Sequence, residues 1–314
     1  MSSWVPGTDD DTIGTGRLPP MAGIVVTGAS GKVGGDIARR LAAAGVPQRL
    51  LVRDPTRAPR LDGAEVVRAD YRDPESVREA LYPGDRVFMV AVHEGVEDRI
   101  AAHRSFIQAA AEAGVGLLAY LSMVNASRES PFPHSWSHRA TEDMIRDAGV
   151  PFAFLRMNMF LDDLPLWFDP DGVCRGPGDE GRVALISRAD VGAVCAAVLA
   201  SDGYRNETLD LSGDEAPTIA EFAAICSEES GRELRYEPGT RSDYIASRLR
   251  MGRKPWDAEA GAGSYLALAA GELGEPSDVV RRVTGRDPER TRAWAAAHRE
   301  AFARTGDRAS ARPI

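Results

Sequence analysis

A glycine-rich turn between an apolar strand and a helix constrains this chain more than any other feature of its sequence. The β-branched run 24–27 predicts a buried parallel strand, and a helical pattern follows the turn. Glycines spaced in this way allow a tight turn, close approach of the backbone to a pyrophosphate and close packing of helix on strand. The helix N-terminus adds unpaired N–H groups for the phosphates. We predict that this loop binds a dinucleotide through Gly28, Ala29, Ser30, Gly31, Lys32, Val33 and Gly34.

The residue that follows the second predicted strand, 48–52, bears on which dinucleotide binds. An acidic residue at this strand end binds the ribose 2′-OH of NAD, whereas an arginine suits the 2′-phosphate of NADP. Arg53 occupies this position and favours NADP(H). Asp54 is the next residue, and a shift by one position returns the site to NAD(H), which stays open as the alternative.

Size, charge and cysteine usage narrow the class of protein. The 314 residues suffice for a full core, in one large α/β unit or in two domains. The net charge of −9, with scattered basic residues, argues against a nucleic-acid surface. No apolar stretch approaches the ~20 residues that span a bilayer. The three cysteines lack metal-ligand spacing and indicate buried thiols of a reducing compartment, so we expect a cytoplasmic protein without a metal site.

The rest of the chain alternates predicted strands with predicted helices. The strands cover 65–68, 86–92, 117–122, 151–156, 183–186 and 208–211, and the helices between them cover 74–81, 96–113, 135–148 and 190–199. This alternation predicts an α/β fold, a Rossmann doubly wound parallel sheet with right-handed crossovers.

The predicted domain organisation follows from the points at which the alternation of strands and helices changes. We expect a flexible leader over 1–20 and an NAD(P)-binding Rossmann core over 21–156, with Met21 as an alternative start. A substrate-pocket segment over 157–182 precedes a return to the sheet over 183–212. The remainder, 213–314, predicts a smaller, mainly helical substrate-capping region and tail, with a short strand at 234–237.

Short motifs follow one another along the chain at 27–34, 52–55, 69–71, 121–122, 138–142, 149–156, 187–191, 211–213 and 283–286. The ordered series resembles the atypical short-chain dehydrogenase/reductases, and within them the NmrA-like group, over about residues 21–304. The resemblance implies a Rossmann fold with bound NAD(P)H. The group includes NADPH-dependent quinone reductases, other small-molecule reductases and non-catalytic dinucleotide-sensing regulators.

Conventional short-chain dehydrogenases use a Tyr-x-x-x-Lys pair on the helix after strand five and a serine at the end of that strand. Ser122 resembles the serine, whereas His134 and His138 stand at the pair positions. In the lysine position His138 would hold the nicotinamide ribose or relay a proton, because an imidazole titrates near neutral pH. Helical spacing puts Glu142 on the same side, where we expect it to orient His138. The alternative is that both histidines are solvated. The three candidate catalytic residues are Ser122, His134 and His138.

Residues at other strand ends complete the predicted site. The resemblance implies that the riboses pass the end of strand four and that the nicotinamide lies near the end of strand six. The further cofactor-binding candidates are Asp70, Tyr71, Ala91, Val92, His93, Ser122, His138, Met157 and Asn158. Flat apolar walls suit a planar substrate, and simple core packing is the alternative. The substrate candidates are Asn125, Phe132, Trp136, Phe160, Leu164 and Trp167.

We therefore expect an NADPH-dependent reductase of a small planar carbonyl, quinone or imine. A quinone needs little acid help because its reduced form is a stabilised hydroquinone anion, which accounts for the missing tyrosine. A small-molecule substrate and a homodimer are the expected partners, without nucleic acid or membrane. The alternatives are a non-catalytic NAD(P)-sensing regulator and a redox-neutral enzyme, such as a cyclase or isomerase. A serine hydrolase is excluded because the chain has no Gly-x-Ser-x-Gly elbow.

Overall fold

The computed structural model describes residues 22–303, which contain a seven-stranded parallel sheet. Its strands are β1 (Ile24–Thr27), β2 (Gln48–Val52), β3 (Ala64–Arg68), β4 (Arg86–Met89), β5 (Leu117–Met123), β6 (Phe152–Met157) and β8 (Glu207–Leu211). Their spatial order is β3-β2-β1-β4-β5-β6-β8. The first strand, β1, lies inside the sheet; β2 and β3 follow on one side of it, and β4 lies on its other side. This topology confirms the predicted doubly wound Rossmann sheet and puts its switch point between β1 and β4.

Helices cover both faces of this sheet. They are α1 (Lys32–Ala43), α2 (Pro74–Ala80), α3 (Val96–Glu112), α4 (Pro133–Asp147) and α5 (Arg188–Ala200). On one face, Ile37 of α1 and Val194 of α5 share a buried core with Val26. On the other face, Phe106 of α3 and Ile145 of α4 form a separate core. Burial on both faces explains why the inner strands read as continuous apolar runs.

A buried ion pair joins the starts of the inner strands. Arg49 donates to both carboxylate oxygens of Asp85 and to the carbonyl of Ala80. The same carboxylate accepts the backbone N–H groups of Gly23 and Tyr82, at 2.9 and 2.7 Å. Every charge of this pair therefore has partners, which is the condition under which a buried ion pair is tolerated.

The C-terminal part is mainly helical, as predicted, and has a hydrophobic core of its own. Its elements are α6 (Ile219–Ser230), β9 (Arg235–Pro238), α7 (Arg241–Arg250), α8 (Pro255–Ala269), α9 (Val279–Thr284), α10 (Thr291–Ala297) and α11 (Arg299–Ala303). Strand β7 (Val173–Gly176) pairs with β9 in a small parallel sheet. Phe168, Phe222 and Leu268 are buried together in this core, which is separate from the two cores on the faces of the main sheet.

The structure corrects two predicted strands. Residues 183–186 do not form a strand of the main sheet: isolated bridges occur only at Arg182 and Ile186, and β8 alone makes the return beside β6. Strand β4 ends at Met89, three residues earlier than predicted. The physical reason is that side chains replace its ladder partners, because Val90 N–H donates to Thr27 Oγ1 and Val92 N–H donates to His103 Nε2, each at 3.1 Å.

Other predicted boundaries are correct to within one or two residues, and the three cysteines are free and buried as expected. The predicted leader, 1–20, and Met21 lie outside the described residues, and the predicted domain boundaries remain predictions. Between residues 22 and 303, none of the helices combines the length and the apolar character that a bilayer crossing demands.

Candidate active site

The glycine loop has the backbone that its spacing predicts. Gly28 adopts a left-handed φ of +65°, and its carbonyl accepts the N–H of Gly31 at 2.8 Å. A Cβ on Gly28 would lie 2.6 Å from Val90 Cγ1, and a Cβ on Gly34 would lie 2.5 Å from the carbonyl oxygen of Gly28. Position 28 therefore requires glycine because of its left-handed backbone and the nearby Val90, and position 34 because α1 approaches the loop backbone too closely for a side chain.

The first turn of α1 leaves its N–H groups open to an anion. Gly31 is the N-cap residue and supplies no side-chain acceptor, whereas Ser30, Gly31 and Lys32 are exposed. A helix N-terminus of this kind, with its positive dipole end uncovered, fits a pyrophosphate. The cradle that only glycines can form and the open N–H groups both fit the phosphates of a dinucleotide.

The two residues that compete for the adenosine ribose differ in their contacts. The Asp54 carboxylate accepts the N–H and the hydroxyl of Thr56, at 3.0 and 2.7 Å, and these bonds lower the pKa of Asp54. Arg53 is exposed and has neither a hydrogen bond nor an ion pair with any residue between 22 and 303. The guanidinium of Arg53 therefore has all its N–H groups available for a ligand, whereas the carboxylate of Asp54 already accepts hydrogen bonds from Thr56 in the same turn.

The next two cofactor candidates are engaged in local structure. Asp70 accepts the N–H of Arg72 at 3.0 Å. The Tyr71 hydroxyl lies 2.7 Å from Thr27 Oγ1 and donates to the Val90 carbonyl at 3.0 Å. Tyr71 thus ties the end of β1 to the segment after β4, and burial raises the pKa of Tyr71. The role of both residues in binding the cofactor remains a prediction.

A cavity of about 310 Å³ opens beside the ends of β4, β5 and β6. The cofactor candidates Ala91, Val92, His93, Met157 and Asn158 line it, together with His134 and His138. The substrate candidates that line it are Phe132, Phe160 and Trp167. Helices α7 and α8 also contribute to the lining, through Tyr244, Arg248 and Tyr265, which the sequence did not single out.

Four of the catalytic and substrate candidates do not line this cavity. The Ser122 hydroxyl donates to Glu142 Oε1 at 2.7 Å. Asn125 is an exposed turn residue with φ of 51°, and Leu164 is buried in the C-terminal core. Trp136 is 41% exposed, and its indole N–H donates to the Ser130 carbonyl. Geometry therefore does not support Ser122 as a catalytic residue or the other three as substrate contacts.

His138 lies in a network different from the predicted one. Its Nδ1 is 2.8 Å from the Tyr120 hydroxyl, and its Nε2 is 3.5 Å from Arg99 Nη1. Because a guanidinium only donates, Nε2 accepts and Nδ1 carries the hydrogen. Glu142 accepts from Ser122 and from Arg156, the latter at 2.7 and 2.8 Å. The expectation that Glu142 orients His138 is wrong, since Tyr120 has that position.

The charge state of the histidines also differs from the expectation. Burial, and then the positive charge of Arg99, hold the pKa of His138 well below its usual value and lower the pKa of His134 to about 2. Both imidazoles are therefore neutral at physiological pH. The expected titration of His138 near neutrality is wrong, and so is the alternative that His138 is solvated, because only 4% of it is exposed.

His103 of α3 is a positioning residue that the sequence analysis missed. Its Nε2 accepts the N–H of Val92, and its Nδ1 donates to Thr141 Oγ1 at 2.9 Å. The Thr141 hydroxyl in turn donates to the Ser137 carbonyl at 2.7 Å, so the direction of each bond is set. Burial lowers the pKa of His103 to about 3. The network fixes the backbone at Val92, where the cavity begins.

Arg99 is the second residue that was missed. It lies one helical turn before His103, lines the cavity and is only 4% exposed. Its Nη1 has two long contacts, to Ser137 Oγ at 3.4 Å and to His138 Nε2 at 3.5 Å, and its Nε has no hydrogen-bond partner. Polar residues four apart on the apolar side of α3 were the available signal for both Arg99 and His103.

Comparison with known proteins identifies the family to which the chain belongs. A family model described as NAD(P)H-binding matches residues 28–202. The chain is 36% identical over 289 residues to the (4-alkanoyl-5-oxo-2,5-dihydrofuran-3-yl)methyl phosphate reductase of Streptomyces griseus, covering 89% of this chain and 99% of that protein. It is 26% identical over 280 residues to an NmrA-like family domain-containing oxidoreductase of Aspergillus flavus, covering 84% and 91%.

A solved structure agrees with these matches. The NADPH complex of the quinone oxidoreductase 2 of Escherichia coli superimposes with a TM-score of 0.80 at 28% identity, over 87% of this chain and 99% of that one. The chain belongs to the NAD(P)H-binding family, in the NmrA-like group of atypical short-chain dehydrogenase/reductases. It is an NAD(P)H-dependent oxidoreductase.

Proposed function

We propose that this oxidoreductase reduces a small planar substrate with a conjugated carbonyl, quinone or imine group, and that NADPH is the donor. The observation that carries the proposal is the cavity itself. The cavity is lined by the segment 90–93 and Met157, where the resemblance implies the nicotinamide, and by the aromatic residues Phe160, Trp167 and Tyr244. Aromatic side chains around a narrow space favour a flat, largely apolar molecule.

Two observations support NADPH as the donor. Arg53 is exposed and uncommitted at the end of β2, where a guanidinium can bind a 2′-phosphate with charge-assisted hydrogen bonds. The related E. coli quinone oxidoreductase is described as NADPH-dependent and was solved with NADPH.

The chain's own residues would hold the cofactor and exclude water. The glycine loop and the first turn of α1 receive the pyrophosphate, and neutral His138 offers a hydrogen-bonding edge at the position implied for the nicotinamide ribose. His103 fixes Val92, and Asn158 is held by donation to the Leu273 carbonyl at 2.9 Å. When bound, the cofactor supplies a hydride, and the protein supplies orientation in an apolar space.

The state of the three candidate catalytic residues favours one class of substrate. The imidazoles of His134 and His138 are held neutral, and Ser122 is committed to Glu142. A substrate whose reduced form is a delocalised oxyanion can take its proton from water after hydride transfer. Quinones and conjugated carbonyls have this property, whereas an isolated ketone forms a basic alkoxide that needs a proton during the step. The S. griseus relative is named for a conjugated furanone substrate.

The direct test is NADPH oxidation against a panel of quinones, conjugated enones, imines and isolated ketones. We expect turnover with the conjugated acceptors and much slower reaction with isolated ketones. Trp167→Ala should raise KM, since it removes a wall of the cavity, while Trp136→Ala, of an exposed tryptophan outside it, should not. Tight NADPH binding without any oxidation would indicate a dinucleotide sensor, and product formation without oxidation would indicate a redox-neutral enzyme.

A further inference from the structure

Arg99 differs from the other buried arginines of this protein. Three arginines between residues 22 and 303 are less than 9% exposed: Arg49, Arg99 and Arg188. Arg49 is paired with Asp85, and Arg188 with Asp163. Arg99 has no carboxylate within ion-pair distance among these residues. A buried guanidinium without a counter-charge is costly, and proteins keep such groups mainly where a ligand completes the pair.

The surroundings of Arg99 preserve its positive charge. The facing imidazoles of His103, His134 and His138 are held neutral by burial and by Arg99 itself. The Tyr120 hydroxyl is bound to His138, and burial raises the pKa of Tyr120, so it stays neutral as well. Glu94 attracts Arg99 electrostatically without contacting it. The Glu94 carboxylate forms an ion pair with Arg72 at 3.2 Å. The two side chains that contact Arg99, Ser137 and His138, therefore carry no negative charge that would offset the guanidinium.

The contacts of Arg99 also leave most of its hydrogen-bonding capacity unused. A guanidinium has five N–H groups, and here one nitrogen makes two contacts of 3.4 and 3.5 Å. Charge-assisted bonds are normally much shorter, about 2.7–2.9 Å. The hydroxyl of Ser137 already donates to the His134 carbonyl at 2.8 Å, so it is a satisfied neighbour and not a ligand that fixes the arginine. Arg99 lines the cavity, and its Nε is buried without a hydrogen-bond partner.

We propose that the Arg99 guanidinium binds the oxyanion that forms during reduction of a quinone or conjugated carbonyl substrate. The inference rests on the proposed function, because it assumes that hydride transfer takes place in this cavity. Arg99 contacts His138, whose position the resemblance assigns to the nicotinamide ribose, so the guanidinium lies beside the reacting part of a bound substrate. It is a catalytic residue in this assignment and replaces the tyrosine that conventional members use.

The reduction step balances in atoms and electrons. A carbon of the conjugated substrate accepts the hydride, with both electrons of the new C–H bond coming from NADPH. A π electron pair moves through the conjugated system onto the carbonyl oxygen, which becomes an oxyanion bound to Arg99. Water then protonates the oxygen, NADP⁺ remains, and the net reaction consumes one proton. A fixed cation that meets charge developing in a water-poor cavity lowers the barrier without transferring a proton.

Binding of nitrophenols to the protein with NADP⁺ tests this without turnover. A nitrophenolate imitates the delocalised oxyanion, and absorbance distinguishes it from the phenol. We expect the wild type to bind the phenolate at least about tenfold more tightly than the phenol, which lowers the apparent pKa of the bound ligand by about one unit. Arg99→Met should abolish this preference, and Arg99→Lys should restore part of it. Arg248→Met is the comparison, because Arg248 is another arginine that lines the cavity, and Arg128→Met, of an exposed arginine outside the cavity lining, is the control.

Kinetics with NADPH and a neutral quinone supply the second readout. Arg99→Met should lower kcat by about 10²–10³-fold, the usual effect of removing an oxyanion donor, with a smaller effect on KM. Its melting temperature should not fall, because methionine replaces an unpaired charge with an apolar side chain of similar length. A purely structural role for Arg99 predicts the opposite: a lower melting temperature and an unchanged kcat.

The outcomes separate the two proposals. Wild-type turnover combined with an unchanged phenolate preference in Arg99→Met overturns the assignment of Arg99 and leaves the proposed reductase intact. A preference that is lost in Arg248→Met but kept in Arg99→Met also overturns it. A wild-type protein that prefers the phenolate through Arg99 but oxidises NADPH with none of the acceptors supports the anion site and contradicts the proposed function.

Discussion

Ser122 donates a hydrogen bond of 2.7 Å to Glu142, and both side chains are completely buried. The same carboxylate accepts two hydrogen bonds from Arg156 of β6. The serine that resembles a catalytic residue therefore belongs to a polar cluster that joins β5, α4 and β6. Its hydroxyl satisfies a buried charge, which is a structural function.

Replacing Ser122 tests this structural role. Ser122→Ala should reduce the free energy of unfolding by about 1–3 kcal/mol, because Glu142 loses a partner that water cannot replace. We expect kcat and KM of the folded variant to stay close to those of the wild type. Urea unfolding and steady-state kinetics measure the two quantities. A large fall in kcat with unchanged stability would contradict the structural role and indicate that Ser122 is catalytic.

Arg53 should determine the choice between the two cofactors. We expect its guanidinium to bind the 2′-phosphate of NADPH with charge-assisted hydrogen bonds worth roughly 1.5–3 kcal/mol. Arg53→Ala should therefore weaken NADPH binding by that free energy and leave NADH binding nearly unchanged. Fluorescence titration of both cofactors into both proteins measures the difference. Asp54→Ala is the matched control, and a change of preference there instead would show that the aspartate reads the ribose.

The loop glycines should fail in two different ways. Gly31 is exposed at the helix start, so Gly31→Val should fold and lose dinucleotide binding, because the side chain blocks the pyrophosphate. A Cβ on Gly34 would have two backbone carbonyl oxygens within 2.7 Å, so Gly34→Ala should destabilise the fold itself. Thermal unfolding and cofactor titration separate these effects. Wild-type affinity in Gly31→Val would mean that the loop is only a turn.

His138 should not produce an ionisation in the pH–rate profile near neutrality. Since burial holds its pKa far below the usual value, kcat should show no His138-dependent inflection between about pH 6 and 8. His138→Asn should weaken cofactor binding if the imidazole holds the ribose, and Tyr120→Phe should have a smaller effect of the same kind. A single inflection near pH 6.5 that disappears in His138→Asn would contradict the neutral assignment.

The buried histidines should make the protein sensitive to acid. Their folded-state pKa values lie below the unfolded value, so the unfolded chain binds more protons as the pH falls. Their contribution is complete above about pH 6.5 and is lost below it, at about 1.4 kcal/mol per pH unit for each histidine. Urea unfolding between about pH 5 and 7.5 should show this slope. His103→Gln should reduce the slope by about one third, and an unchanged slope would refute the protonation argument.

Much of the fold could be predicted because its determinants are local. The glycine spacing, the β-branched runs and the helical periodicity each act over a few residues, so β1, α1 and the strand alternation follow from the sequence. The loop conformation at Gly28 is of this kind. Strand β4 was predicted too long because its end depends on acceptors from Thr27 and His103, which are distant in sequence.

The candidate site could be predicted only in part, because the cavity is formed by tertiary packing. His138 was identified by its position relative to a family motif, yet its partner, Tyr120, lies on another element. Helical spacing made Glu142 a plausible partner of His138, but Glu142 accepts hydrogen bonds from Ser122 and Arg156 on the neighbouring strands. The importance of Arg99 depends on the lack of a carboxylate around it among residues 22–303, which no local pattern reveals.

The division of the cavity between two parts of the chain has a consequence for how specificity can change. The family match ends at residue 202, whereas Tyr244, Arg248 and Tyr265 come from α7 and α8. In the proposed function the first part receives the hydride donor and the second faces the acceptor, so substitutions in one part should alter one preference without the other. Grafting α7 and α8 from a related reductase onto this core should transfer acceptor preference while leaving the choice of nicotinamide cofactor as it was.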